Sequence, residues 1–242
     1  MEIRICENPD KLGKSAAEYV AQELRDIIKQ KGYARIALST GASQFDTIKH
    51  LVLQDVDWSK VEMFHLDEYV DLPESHPASF RKYLKERFVD KVGNLKAAHF
   101  VDGTREGIAK LTEEITSEPI DIGLIGIGEN AHIAFNDPPA NFDTQESYMV
   151  VTLDEACRNQ QMGEGWFATF DDVPKQAVSM TVSQIMRCKK IVSCVPYAVK
   201  ASAVEKTLKA TETTNLIPAT KLKEHPDFIL YIDADSAKGI LA

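Results

Sequence analysis

The chain has 242 residues, 44% hydrophobic and 27% charged, enough for one large domain whose core needs no disulfide or metal staple. A net charge of −9 argues against nucleic acid or an anionic membrane as partner, although a local pocket can oppose the global sign. Cys6, Cys157, Cys188 and Cys194 form no CxxC pair, no apolar run reaches membrane-spanning length, and "MEIRICENPD" lacks a signal-peptide layout, so a cytoplasmic protein without a zinc site or disulfide framework is expected.

Strand-like and helix-like segments alternate along the chain. "EIRIC" (2–6) reads as a strand, and "KSAAEYVAQELRDIIKQKG" (14–32) as a helix with apolar residues at helical spacing, closing on Gly32. "ARIALST" (34–40) is a strand and "ASQFDTIKHLVLQ" (42–54) a helix. "VEMFHLDEY" (61–69) reads as a strand running into a loop, and "PASFRKYLKERFVDKV" (77–92) as a helix with Pro77 near its first turn. A helix over 107–118 precedes the buried strand "IDIGLIGIG" (120–128). Strands follow at 149–153, 177–182 and 190–195, then a helix over 198–212, then a last strand and helix in "FILYIDADSAKGIL" (228–241). Repeated βα units with near-continuous apolar strands imply one α/β domain over 1–242. Its architecture is a mainly parallel, doubly wound (Rossmann-like) sheet with helices on both faces.

Ligands of such sheets bind beyond the carboxyl ends of the strands. Three segments share that address. In "LSTGAS" the residues Thr40, Gly41, Ala42 and Ser43 join a strand to a helix, and free N–H groups with hydroxyls suit a phosphate; Thr40 or Ser43 capping the helix is the plainer alternative. In "HLDEYVDLPESH" the carboxylates Asp67 and Glu68 end a strand, where desolvation can make a general base; an N-cap or turn acid is the commoner alternative. In "GIGENAHIAFNDPP" the glycines end a strand sharply and His132 follows, beside Asn130 and with Asp137 near enough in sequence to orient it; taken alone, a structural histidine is the plainer alternative. The glycines make no dinucleotide fingerprint, and GxxxxGK[ST], HExxH and GxSxG are absent, so no cofactor and no metal is expected.

In this order and spacing the three loops, with "FHLDEYVDLPESHPASFRKYL", "DDVPKQAVSMTVSQIM" and "LKEHPDFILYID", resemble the glucosamine-6-phosphate deaminase (isomerase) family along nearly the whole chain. The 6-phosphogluconolactonases share that fold but usually continue with a "TASLFP"-like stretch where this chain has "IAFNDP". The resemblance implies a phosphorylated amino-sugar substrate and conversion of glucosamine 6-phosphate to fructose 6-phosphate with loss of ammonia. Asp67 would move a proton between C1 and C2, His132 would assist ring opening with Asp137 orienting it, and Thr40, Gly41, Ala42, Ser43 and Lys200 would hold the phosphate. The chain departs from the family's usual wording at four places. Asn130 stands for an aspartate, Ala131 for a glycine that a left-handed backbone would favour, and Asp137 for a glutamate. "MGEGWF" stands where many members carry a phosphate-binding arginine, with Arg158 upstream as the candidate replacement. These departures keep two other readings open: a lactonase-type hydrolase in which the His132 region activates water, and a sugar-phosphate binder without turnover. The sequence leaves room for a homo-oligomer and does not fix it.

Overall fold

The computed structural model describes residues 1–163 and 165–241. In chain order these form β1 (Glu2–Cys6), α1 (Pro9–Lys31), β2 (Ala34–Leu38), α2 (Phe45–Leu51), β3 (Val61–His65) and β4 (Asp67–Tyr69). Next come α3 (Phe80–Leu84), a π-helical turn (Lys85–Val89), α4 (Asp90–Val92), β5 (Ala97–His99), α5 (Arg105–Thr116) and β6 (Ile122–Leu124). The chain continues with β7 (Tyr148–Thr152), α6 (Glu155–Gly163), β8 (Gln176–Met180), α7 (Val182–Ile185), β9 (Lys190–Val195), α8 (Ala201–Lys209) and β10 (Phe228–Asp233).

Seven strands make one parallel sheet in the order β1-β10-β9-β6-β2-β3-β5. Side chains alternate across it as a two-residue period requires. Ile36, Leu38, Met63, Ile229 and Tyr231 pack with the apolar stripe of α1 (Leu12, Ala16, Val20, Leu24), with α2, and with Tyr83, Leu84 and Phe88. Ala37, Phe64, Leu230 and Ile232 face the other way, against Leu111 and Ile115 of α5, Ile185 of α7 and Val204 of α8. Both faces of the sheet are therefore covered, as the near-continuous apolar strands require.

The structure departs from the sequence reading at definite points. The first helix starts at Pro9, because the side chain of Asn8 accepts from the Lys11 amide at 2.9 Å and proline suits the first helical position. The strand expected over 61–69 breaks at Leu66: β3 pairs with β2, whereas β4 leaves to pair antiparallel with β8 in a three-stranded sheet, β4-β8-β7. The last segment has no helix after β10, since Asp233 accepts from the Ser236 amide at 2.8 Å and closes a turn there. β5 and α6 are additions. Among the described residues no helix is long and apolar enough to cross a membrane.

Candidate active site

The order of the sheet reverses between β2 and β6: β2, β3 and β5 progress one way, and β6, β9 and β10 the other. Carboxyl ends of strands at such a reversal splay their loops apart and leave a crevice. A cavity of about 160 Å³ lies there, lined by the loop after β2, the loop after β6, the start of β4, two residues of α6 and the turn before α8.

The loop after β2 brings Thr40, Gly41, Ala42 and Ser43 to the cavity wall. Gly41 has φ 92°, a conformation that disfavours a side chain, and its carbonyl is held by the Tyr83 hydroxyl at 3.1 Å. Ala42 and Ser43 then open a 3₁₀ turn, whose first amides have no partner within the turn. Gln44 anchors the turn by donating to the Cys194 carbonyl at 3.0 Å. Ser39, which the sequence reading passed over, also lines the cavity, and among the described residues its buried hydroxyl has no hydrogen-bond partner. Lys200 comes to the same cavity from the turn Ala198–Lys200 and is only 7% exposed. Loop amides, hydroxyls and a buried lysine around one space suit an anion.

Asp67 and Glu68 share one short strand and have different surroundings. Glu68 is fully buried and accepts from Ser79 Oγ (2.8 Å), from the amides of Phe80 and Arg81 (3.2 and 2.9 Å) and from Arg81 Nε (3.1 Å), so it fastens the start of α3. Asp67 points the other way, as alternation along a strand demands, and lines the cavity. Burial, and then the charge of Glu68, push its carboxyl up to about 8.

His132 sits on the third loop, over Gly128. A Cβ added at Gly128 would lie 2.2 Å from Cε1 of the imidazole, so only glycine lets the ring approach. Ala131 carries φ 66°, a left-handed backbone that costs an alanine about 1–2 kcal/mol. Nδ1 of His132 lies 2.7 Å from Asn130 Oδ1 and 3.0 Å from Asp137 Oδ1. Two acceptors at one nitrogen put its proton there and leave Nε2 as the atom that can exchange a proton with a ligand. Burial opposes the charge of Asp137, but His132, the Asn130 amide and the Cys157 thiol outweigh it and hold the carboxyl below its usual range.

Arg158 is not among the residues that line the cavity; its Nη2 donates to the carbonyls of Phe170 and Val173 at 2.7 and 3.0 Å, and its guanidinium covers the Phe170 ring at 3.9 Å. The guanidinium binds its own chain, because a buried arginine with two carbonyls in reach satisfies them first. Within "MGEGWF", Glu164 lies outside the described residues, and Trp166 packs against the cluster of Tyr69, Phe135 and Phe167. Gln160, Gln161 and Tyr197 line the cavity without having been singled out by sequence; α6 has no apolar stripe strong enough to announce itself. Among the described residues no group of three or more histidine, cysteine or acidic side chains could hold a metal ion.

Known proteins resemble the chain over nearly its whole length. A family model for glucosamine-6-phosphate isomerases/6-phosphogluconolactonase matches residues 7–230. A glucosamine-6-phosphate deaminase of Thermoanaerobacter pseudethanolicus is 34% identical over 250 aligned positions, covering 99% of this chain and 95% of that protein. One from Staphylococcus epidermidis is 34% identical over 237 positions, covering 93% and 96%. The solved structure of a monomeric glucosamine-6-phosphate deaminase superposes with a TM-score of 0.87 at 28% identity, covering 99% of this chain and all of that one. A 6-phosphogluconolactonase from Shewanella baltica shares the fold, with a TM-score of 0.79 at 17% identity over 97% of this chain and 98% of its own. Matched in sequence and fold over nearly its whole length, the chain belongs to the glucosamine-6-phosphate isomerase/6-phosphogluconolactonase family.

Proposed function

We propose that the protein is an amino-sugar-phosphate deaminase/isomerase that converts glucosamine 6-phosphate and water to fructose 6-phosphate and ammonia in the cytoplasm. The observation that carries this reading is the meeting of Asp67, His132 and the Thr40–Ser43 loop with Lys200 in one cavity. Lys200, the 3₁₀ amides and the hydroxyls grip the phosphate. His132 passes a proton between the ring oxygen and the C1 hydroxyl as the pyranose opens, with Asn130 and Asp137 fixing its tautomer. Asp67, whose raised basicity suits removal of a proton next to a carbonyl or imine, carries that proton from C2 to C1. Water then replaces nitrogen at C2 and ammonia leaves. All these groups come from one chain, so the chemistry holds in a monomer and in a homo-oligomer alike.

The test is to follow fructose 6-phosphate and ammonia together from glucosamine 6-phosphate. Equal release of both is expected. Turnover of 6-phosphogluconolactone with silence on the amino sugar would transfer the site to the hydrolase reading. Thermal stabilisation by sugar phosphates without turnover of either would leave a binding protein.

A further inference from the structure

Gln161 projects from α6 into the cavity wall and is only 5% exposed. Its Oε1 accepts from the Tyr69 hydroxyl at 2.6 Å. Tyr69 has no freedom to move: its ring is fully buried among Phe80, Phe135 and Phe167, with centroids 5.2, 5.3 and 5.5 Å away. A planar carboxamide whose oxygen is pinned has its NH₂ group pinned as well. Among the described residues Nε2 of Gln161 donates to no acceptor, and it is not sealed from the cavity either. Tyr69 lies two residues after Asp67 on β4, so both side chains leave the same face of the strand and the amide is held on the proton-transfer side of the cavity. Lys200 supplies the positive charge for an anion elsewhere on the wall. A fixed, neutral donor suits a neutral oxygen, such as a secondary hydroxyl.

We infer that Gln161 is a specificity residue that donates from Nε2 to the C3 or C4 hydroxyl of the sugar chain, between the phosphate and the reacting carbons, and that Tyr69 is the positioning residue that keeps the amide turned. The inference rests on the proposed reaction for its substrate. It also makes a claim about binding alone, because fructose 6-phosphate carries the same hydroxyls at C3 and C4.

The experiment compares wild type with Gln161→Leu, Gln161→Glu and Tyr69→Phe on glucosamine 6-phosphate and on its 3-deoxy and 4-deoxy analogues, with the Kd of fructose 6-phosphate by calorimetry. Gln161→Glu keeps an oxygen for Tyr69 and the shape of the side chain. Both Gln161 variants should lose about tenfold or more in kcat/KM on the full substrate and in affinity for fructose 6-phosphate. On the deoxy analogue that lacks the contacted hydroxyl, wild type and Gln161→Leu should be equal. Tyr69→Phe should lose less, and its effect should vanish in the Gln161→Leu background. Equal losses on all three substrates, or an unchanged Kd, overturn the inference. Wild-type silence on glucosamine 6-phosphate overturns the proposed reaction alone, since the Kd still reads the contact.

Discussion

The side-chain amide of Asn130 donates to Asp137 at 3.1 Å, so the two residues reach Nδ1 of His132 as a joined pair carrying one negative charge. Asparagine therefore does here what an aspartate would do less simply, because a second carboxylate would sit against Asp137. Asn130→Asp sets a second carboxylate against Asp137 and beside the ring, so it should change kcat on glucosamine 6-phosphate and move its pH profile. Initial rates across pH 5–9 read it directly, and an unchanged rate with an unmoved profile would uncouple position 130 from the chemistry.

Replacing Asp67 separates chemistry from stability. Asp67→Asn should abolish turnover while leaving fructose 6-phosphate binding within a few-fold. Because the folded carboxyl is raised to about 8 from an unfolded value near 4, the folded state binds more protons than the unfolded state between those pH values. Stability from this group is complete below about pH 4 and is lost as pH rises toward 8. The asparagine variant should melt higher than wild type at pH 8 and close to it at pH 4.5. Coincident melting curves at both pH values would contradict the raised carboxyl.

Gly128 holds its place by contact with His132. Gly128→Ala puts a methyl group within 2.2 Å of the ring and forces it aside. We expect a loss of about 1–3 kcal/mol in stability, seen in denaturant titration, with a larger fractional loss of kcat than rise in KM. Full activity would mean that the ring tolerates displacement.

Lys200 and Arg158 divide along the line the structure draws. Lys200→Ala should raise KM for glucosamine 6-phosphate about 10–100-fold, and much more than for any turnover of free glucosamine, since a charged hydrogen bond contributes about 1.5–3 kcal/mol. Arg158→Met should leave that discrimination intact. It strands the carbonyls of Phe170 and Val173, so about 1–3 kcal/mol of stability should go instead. A phosphate-specific KM effect at Arg158 would restore it to the anion site.

Much of this architecture is legible in the sequence, because the parallel strands are apolar on both faces and their helices carry the usual spacing and caps. The three loops are legible for the same reason: each follows a strand that ends on glycine or on adjacent acids. What is not legible depends on partners far along the chain. Nothing near Leu66 says that "VEMFHLDEY" must break, since the break is set by β8, more than a hundred residues later. Arg158 reads as a free cation until the carbonyls of Phe170 and Val173 are seen to occupy it. Gln161 reads as a surface amide until Tyr69 is found against it.

Strand β8 lies between two of the loops that make the site. Asp67 is in register with Ser179, while Ser179 Oγ accepts from the Phe135 amide at 3.0 Å and the Met180 carbonyl accepts from Asn136 Nδ2 at 2.8 Å. The span from carboxylate to imidazole is thus kept by backbone pairing and by residues outside the Asn130–Asp137 pair. Side chains of the Asn130–Asp137 loop can therefore be exchanged without unsettling that span. A change on β8 that slips its register by one residue would turn Asp67 out of the cavity while leaving every reactive group intact.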